Sequence, residues 1–192
     1  MRQKCLISML LAAGLTAGGN VLAADEAQLL QEARGIPAKM VPKLLEVLQV
    51  EIDKSGHAGA ISVCREKAPV MAKNLSAQTG WQIRRVSLKN RNPKAVPDAW
   101  ERATLEDFER RLDAGENPTG IDKGEIVEEN GQKFYRYMKA LPTQDLCLNC
   151  HGTPERLAPG VAEKLKELYP DDKAVGYSSA QIRGAITAKK PL

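Results

Sequence analysis

Cys147-Leu148-Asn149-Cys150-His151 constrains this chain more than any other stretch. C-x-x-C-H is the attachment motif for c-type haem: two thiols form thioethers to the vinyl groups, and the adjacent imidazole ligates the iron. The spacing is geometric. Both sulfurs must reach one porphyrin edge, and the tight turn then swings His151 under the metal. Other readings compete. A thioredoxin-like C-x-x-C normally follows a first strand near the N-terminus of its fold. A zinc half-site needs further Cys or His ligands, and only Cys64 and His57 remain for that once a leader is removed. A plain disulfide is the last.

Export favours haem, because attachment of this kind occurs outside the cytoplasm. Arg2 and Lys4 form a basic start, and Cys5 to Leu22 is apolar but softened by Gly14, Gly18 and Gly19. Val21-Leu22-Ala23 then offers the small-residue pattern of a signal-peptidase site, so residues 1–23 read as a signal peptide and 24–192 as a single mature domain. The stretch is too short and glycine-rich for a membrane anchor. The expected location is the periplasm, with no membrane attachment after cleavage. The 192 residues are 43% hydrophobic and 27% charged, an ordinary globular balance. The formal charge of +4 includes Arg2 and Lys4, and the remaining bases are interspersed with acids, so no nucleic-acid footprint stands out. The mature chain keeps Cys64, Cys147 and Cys150, an odd set for an oxidising compartment.

From Asp25 to Ser55 the apolar residues recur at helical spacing, with Pro37 and Pro42 expected to split a short first helix from a longer second one. Gly56 and Gly59 bracket a turn. Ile61, Cys64, Ala68, Met71 and Leu75 then mark one face of a third helix, with Pro69 kinking it or starting its second half. Trp81 to Leu88 alternates like a strand, with an irregularity at Arg84-Arg85. Pro97-Asp98 opens a helix capped by Asp98, with Leu105, Phe108 and Leu112 inward. Asn130-Gly131 between residues 125–129 and 132–140 predicts a hairpin with a type I′ turn. A helix over 161–168 and a strand over 181–188 complete an α+β order with an antiparallel sheet.

His151 supplies one axial ligand. Cys64, His57, Met40, Met71 and Met138 are candidates for the other. Met raises the potential and thiolate lowers it. Cys64 also reads as a small buried hydrophobe beside Ile61 and Met71, and His57 as part of a solvated Ser-Gly-His-Ala-Gly loop. A free thiol in an oxidising compartment favours Cys64.

Several segments resemble a bacterial family of exported single-haem domains with a PAS-like fold, long labelled a domain of unknown function. They are Ala60-Ile61-Ser62-Val63-Cys64 with Ala68-Pro69, Val86 to Pro93, Pro97 to Glu101, Tyr135 to Met138, the motif itself, Tyr169 to Tyr177, and Ile182-Arg183-Gly184-Ala185. The resemblance implies a PAS-like antiparallel sheet with N-terminal helices packed around one covalently bound haem c. It implies thioethers at Cys147 and Cys150, and iron ligation by His151 and Cys64. Ser178-Ser179-Ala180 departs from the Gly-Asp pair expected before Ile-Arg-Gly.

Haem propionates need compensation when partly buried, and Arg84, Arg85, Lys89, Arg91 and Arg183 are candidates. Arg91 is preferred, because Pro93 holds the preceding residue extended. Trp81, Trp100, Phe134 and Tyr137 read as core or haem wall, and Tyr135 or Tyr137 as a hydrogen-bond donor near the haem. The functional expectation is a redox or diatomic-gas sensor binding NO or CO on reduction and signalling through a separate redox or signalling protein. A periplasmic electron-transfer cytochrome is the alternative, and an enzyme ranks last for want of an acid-base pair around His57.

Overall fold

The structure, a computed structural model, describes residues 18–192, with side chains from Asp25 onward. Residues 1–17, most of the expected signal peptide, lie outside the described residues. Helix α1 (Gly18–Ser62) leads through a π-helical turn (Val63–Lys67) into α2 (Ala68–Thr79). Strand β1 (Gln82–Val86), helix α3 (Ala99–Asp113) and the hairpin β2 (Asp122–Glu129) and β3 (Gln132–Pro142) follow. Helices α4 (Asp145–His151) and α5 (Val161–Leu168) and strand β4 (Ile182–Pro191) complete the order. The strands form a four-stranded antiparallel sheet in the order β1-β4-β3-β2. This is the α+β class expected. Among the described residues, no helix is long and apolar enough to cross a membrane.

Each face of the sheet carries its own core. On one, Ala33, Ile36 and Met40 of α1 pack with Ala72, Trp81, Ile83, Tyr135, Tyr137 and Ile186. On the other, Leu105 and Phe108 of α3 pack on Val86, Met138, Ala140, Ile182 and Ala185. Strand alternation sorts them: Ile83 and Val86 lie on opposite faces, as do Tyr137 and Met138.

Pro37 and Pro42 do not split α1 as expected; both sit inside it. Burial of Ala33, Ile36 and Met40 against the sheet offsets the local cost of the missing donors. The only break is Gly56, at φ 69° and ψ 177°. The turn expected over Gly56–Gly59 is therefore a one-residue kink. Asp98 caps α3 as expected: it accepts from Glu101 N–H at 2.8 Å and Glu101 accepts from Asp98 N–H at 2.9 Å. Asn130 (φ 52°) and Gly131 (φ 77°) form the hairpin turn.

The strand irregularity lies on β4, not at Arg84-Arg85. β3 steps from Ala140 to Pro142 while β4 steps from Ala185 to Ile182, an extra residue on β4. Gly184 takes it up at φ 144°, where an added Cβ would stand 2.3 Å from Val86 O. The bulge puts Ile182 and Ala185 against α3 and frees Arg183 to turn to the opposite face.

Asp122 ties α1 to the hairpin. Its carboxylate accepts from Arg34 at 2.8 and 3.2 Å and from the Tyr137 hydroxyl at 3.1 Å. Burial alone would raise its pKa, but these hydrogen bonds and the Arg34 charge hold it below the ordinary value. A depressed folded-state pKa means stability present above pH about 4 and lost as pH falls below it. Asp122→Asn should therefore cost on the order of 1 kcal/mol at neutral pH. In urea titrations the difference from the native chain should shrink as pH drops from about 4 toward 2.

Candidate functional site

Helix α4 carries the motif. Cys147, Cys150 and His151 stand at i, i+3 and i+4, one face of a helix. Leu148 points away into a buried cluster with Ala174 and Tyr177, which fixes the rotation of the helix. The motif face then lines a cleft of about 550 Å³, a volume suited to a sizeable organic ligand. The tight turn expected at the motif is thus a short helix. The following loop clamps its end: Tyr177 N–H donates to His151 O at 2.9 Å and Gly176 N–H to Gly152 O at 2.8 Å.

His151 Nδ1 lies 2.7 Å from Ala174 O and 3.2 Å from Arg183 Nε. One nitrogen cannot donate to the first and accept from the second. The shorter carbonyl contact places the proton on Nδ1 and leaves the Nε2 lone pair free. Burial, then the charges of Arg183 and Arg91, hold the imidazole pKa well below its usual value. His151 is therefore neutral, the form that binds metal. Burial pushes the Cys150 thiol up to about 11, so it is no ready thiolate for disulfide exchange. Cys64, Cys147 and Cys150 are all free. Among the described residues, no group of three or more His, Cys, Asp or Glu side chains could hold a bare metal ion.

Cys64 sits on the π-helical turn, where Ala68 N–H bonds Val63 O. Pro69 explains the wide turn. In an α-helix its ring would press on Arg65 O and leave that carbonyl unbonded, and one extra residue per turn relieves this. Cys64 is exposed to the cleft, so the buried-hydrophobe reading does not hold. His57 and Met40 line the same cleft. His57 is half-buried on a helix, not in a solvated loop. Met138 is fully buried in the α3 core and Met71 lies outside the cleft, so neither is a ligand candidate in this geometry.

The cleft has an apolar side and a basic side. Met40, Leu44, Leu48 and Ile52 of α1 contribute the first. Arg85, Arg91 and Arg183 contribute the second. Arg91, preferred from sequence, reaches the cleft but is mostly committed: Nε donates to Asp172 at 2.9 Å and an Nη to Cys150 O at 2.6 Å. It braces the end of α4 against the loop that presents Ala174. Arg183 donates to Ser87 Oγ at 2.9 Å and Lys89 O at 3.1 Å. Burial, and after it the charge of Arg85, pushes its pKa down. Arg85 is exposed at the cleft, near enough to Cys64 and Cys147 to interact with them electrostatically. Neither Arg85 nor Arg183 pairs with a carboxylate among the described residues, so this side carries unmatched positive charge. Arg84 also borders the cleft, but its guanidinium turns to the buried Glu101 of α3.

The cleft thus offers paired thiols and a neutral imidazole on one element, a second sulfur on another, an apolar wall and uncompensated arginines. That set fits the haem expected from the motif, a flat apolar macrocycle with two carboxylates. Arg85 outranks Arg91 as a free cation, and strand alternation carried the signal: Arg85 shares a face with Ile83, whereas Arg84 does not. Tyr169, missed from sequence, is 8% exposed and also lines the cleft. Trp81 packs edge-on to Tyr135 at 6.0 Å, and neither they nor Tyr137 reach the cleft.

No curated protein matches the chain. The crystal structure of the cyanobacterial heme-protein Tll0287 matches with a TM-score of 0.59 and 24% identity, over 91% of this chain and 97% of that chain. That likeness is one of fold. The model of the Tll0287-like family, described as Tll0287, matches residues 21–191, a span that includes every residue of the cleft, and the chain belongs to that family.

Proposed function

We propose that this chain is an exported c-type monohaem protein that works in the periplasm as a redox or diatomic-gas sensor. The convergence of Cys147, Cys150, His151 and Cys64 on one cleft beside Arg85 and Arg183 carries the reading. Membership of the family and the fold shared with a cyanobacterial heme-protein support haem as the guest. Cys147 and Cys150 would hold it by thioethers, His151 Nε2 and Cys64 would ligate the iron, and Arg85, Arg183 and the free Nη of Arg91 would meet the propionates. We read the fold as PAS-like, because helices close a ligand cleft over one face of an antiparallel sheet.

Bound haem supplies a one-electron couple and, with Cys64 released, a position for NO or CO. The chain does the rest. Ala174 and the loop over α4 hold His151 in one tautomer and orientation through both states. Cys64 would be the more weakly held ligand of ferrous iron, since a thiolate favours the ferric ion. Cys64 sits on the π-helical turn and a short way past the Gly56 kink, two places where the helix can readjust. Its displacement is the signal, read by a separate redox or signalling protein. No catalytic turnover belongs to this reading.

Low-temperature EPR of the ferric protein beside Cys64→Ala and Met71→Ala tests it. A low-spin thiolate signature should appear in native protein and Met71→Ala and vanish in Cys64→Ala. An unchanged spectrum in Cys64→Ala would remove Cys64 from the iron and turn the reading to a periplasmic electron-transfer cytochrome, with Met40 the methionine lining the cleft. Reduced protein that stays six-coordinate and takes up neither CO nor NO would end the sensor reading.

A further inference from the structure

The loop after Tyr169 folds back over the end of α4, and one acid ties it there. Asp172 Oδ1 accepts from Ala174 N–H at 2.8 Å, which closes a turn within the loop. Its Oδ2 accepts from Arg91 Nε at 2.9 Å. The two side chains are 10% and 8% exposed, so this is a largely buried ion pair. One Nη of Arg91 continues past the acid to Cys150 O at 2.6 Å and to Ala174 O at 3.3 Å. Ala174 O is also the carbonyl 2.7 Å from His151 Nδ1. Asp172 thus reaches that carbonyl by two routes, through the turn that aims it and through the guanidinium that shares it.

Both routes act on one hydrogen bond. A carbonyl oxygen has two lone pairs and can receive both donors. How strongly it accepts from Nδ1–H sets how basic the opposite ring nitrogen is. A guanidinium without its counter-charge would draw density from that oxygen, and a loosened turn would lengthen the contact. Asp172 opposes both. We infer that Asp172 is a positioning residue for His151, holding Ala174 O to Nδ1–H and so setting the electron donation of Nε2 to the iron. The inference deepens the proposed function and rests on His151 being a ligand. A more basic imidazole favours ferric iron, so Asp172 holds the potential down.

The test compares the haem-loaded full chain as native, Asp172→Asn and Asp171→Asn. Asn keeps an oxygen for Ala174 N–H and removes the charge that neutralises Arg91. Asp171 is exposed, and its replacement removes the same charge one residue away. In Asp172→Asn the iron equilibrium should move about tenfold toward ferrous, or about 59 mV, the lower end of what a lost outer hydrogen-bond partner does to a metal site. The His151 Nδ1–H resonance should also exchange faster with D2O, and Asp171→Asn should leave both readouts native. Asp172→Ser, whose hydroxyl can close the same turn, gives the same comparison where the amide does not fold. A lower unfolding midpoint with native potential and native exchange would make Asp172 a structural tie and overturn the inference. Equal shifts in Asp171→Asn would overturn it too, since charge alone would then account for them. Nitrogen coupling to ferric iron in histidine-labelled His57→Gln, where His151 is the one histidine left, separates the two readings. Coupling with an unmoved potential ends the role of Asp172 alone, and no coupling ends the ligation by His151 as well.

Discussion

The double variant Cys147→Ser/Cys150→Ser should surrender all of its haem to acidified organic solvent, while the native protein keeps it through denaturing electrophoresis. The two sulfurs lie on one face of α4 and line the same cleft, so each reaches the guest independently. Either single variant should therefore retain haem through its remaining thioether, with a shifted reduced absorption band. His151 alone cannot hold haem once the protein unfolds, because its orientation depends on Ala174 O and the loop above it. Haem staining of gels, set against total absorbance, reads all the variants. Covalent haem surviving the double substitution would refute thioether attachment at this motif.

Glu101→Ala should be the most destabilising single change outside the cleft, at about 3 kcal/mol or more. Glu101 is 2% exposed, and its carboxylate receives Arg84, the Asp98 N–H and, at 3.4 Å, Arg136. The Arg136 side chain is itself 5% exposed, and its Nε already has no partner. Removing the acid deprives these guanidiniums of their buried counter-charge and deletes half of the α3 capping box. Asp98 and Glu129 still pair with Arg136, which limits the loss. Urea unfolding should move to a midpoint lower by roughly 1.5 M for a chain of this size. A shift under about 0.3 M would mean that these neighbours take over the role of Glu101.

Local chemistry made much of this legible. Asp98 with Glu101 three residues on, and Asn130-Gly131 between alternating runs, are signals whose cause lies within a few residues of the chain. The motif was equally plain, since its meaning is in its spacing. What could not be read depends on distant partners. The continuity of α1 through Pro37 and Pro42 is settled by a sheet face more than forty residues further along the chain. The bulge that turns Arg183 into the cleft follows from the pairing of β4 with β3, so the irregularity expected within β1 was assigned to the wrong strand. Arg91 looked free because nothing nearby announced Asp172, eighty-one residues later. Tyr169 stood only within a segment resembling the family, with nothing to assign it to the cleft; its position comes from the packing of α5 on α1.

The wide turn at Val63–Lys67 also bears on how this sequence can change length. A π-helical turn fits one residue more than its neighbours into the same full rotation, so the helix before it and the helix after it keep the phase of an uninterrupted α-helix. Deleting one residue there would let the turn close to ordinary winding with Ala33, Ile36 and Met40 still on their core. Pro69 would then regain its clash with the preceding turn. A single deletion in this stretch should therefore cost stability at Pro69 and not at the α1 core, whereas length changes should be tolerated in the 115–120 loop, whose residues are mostly exposed.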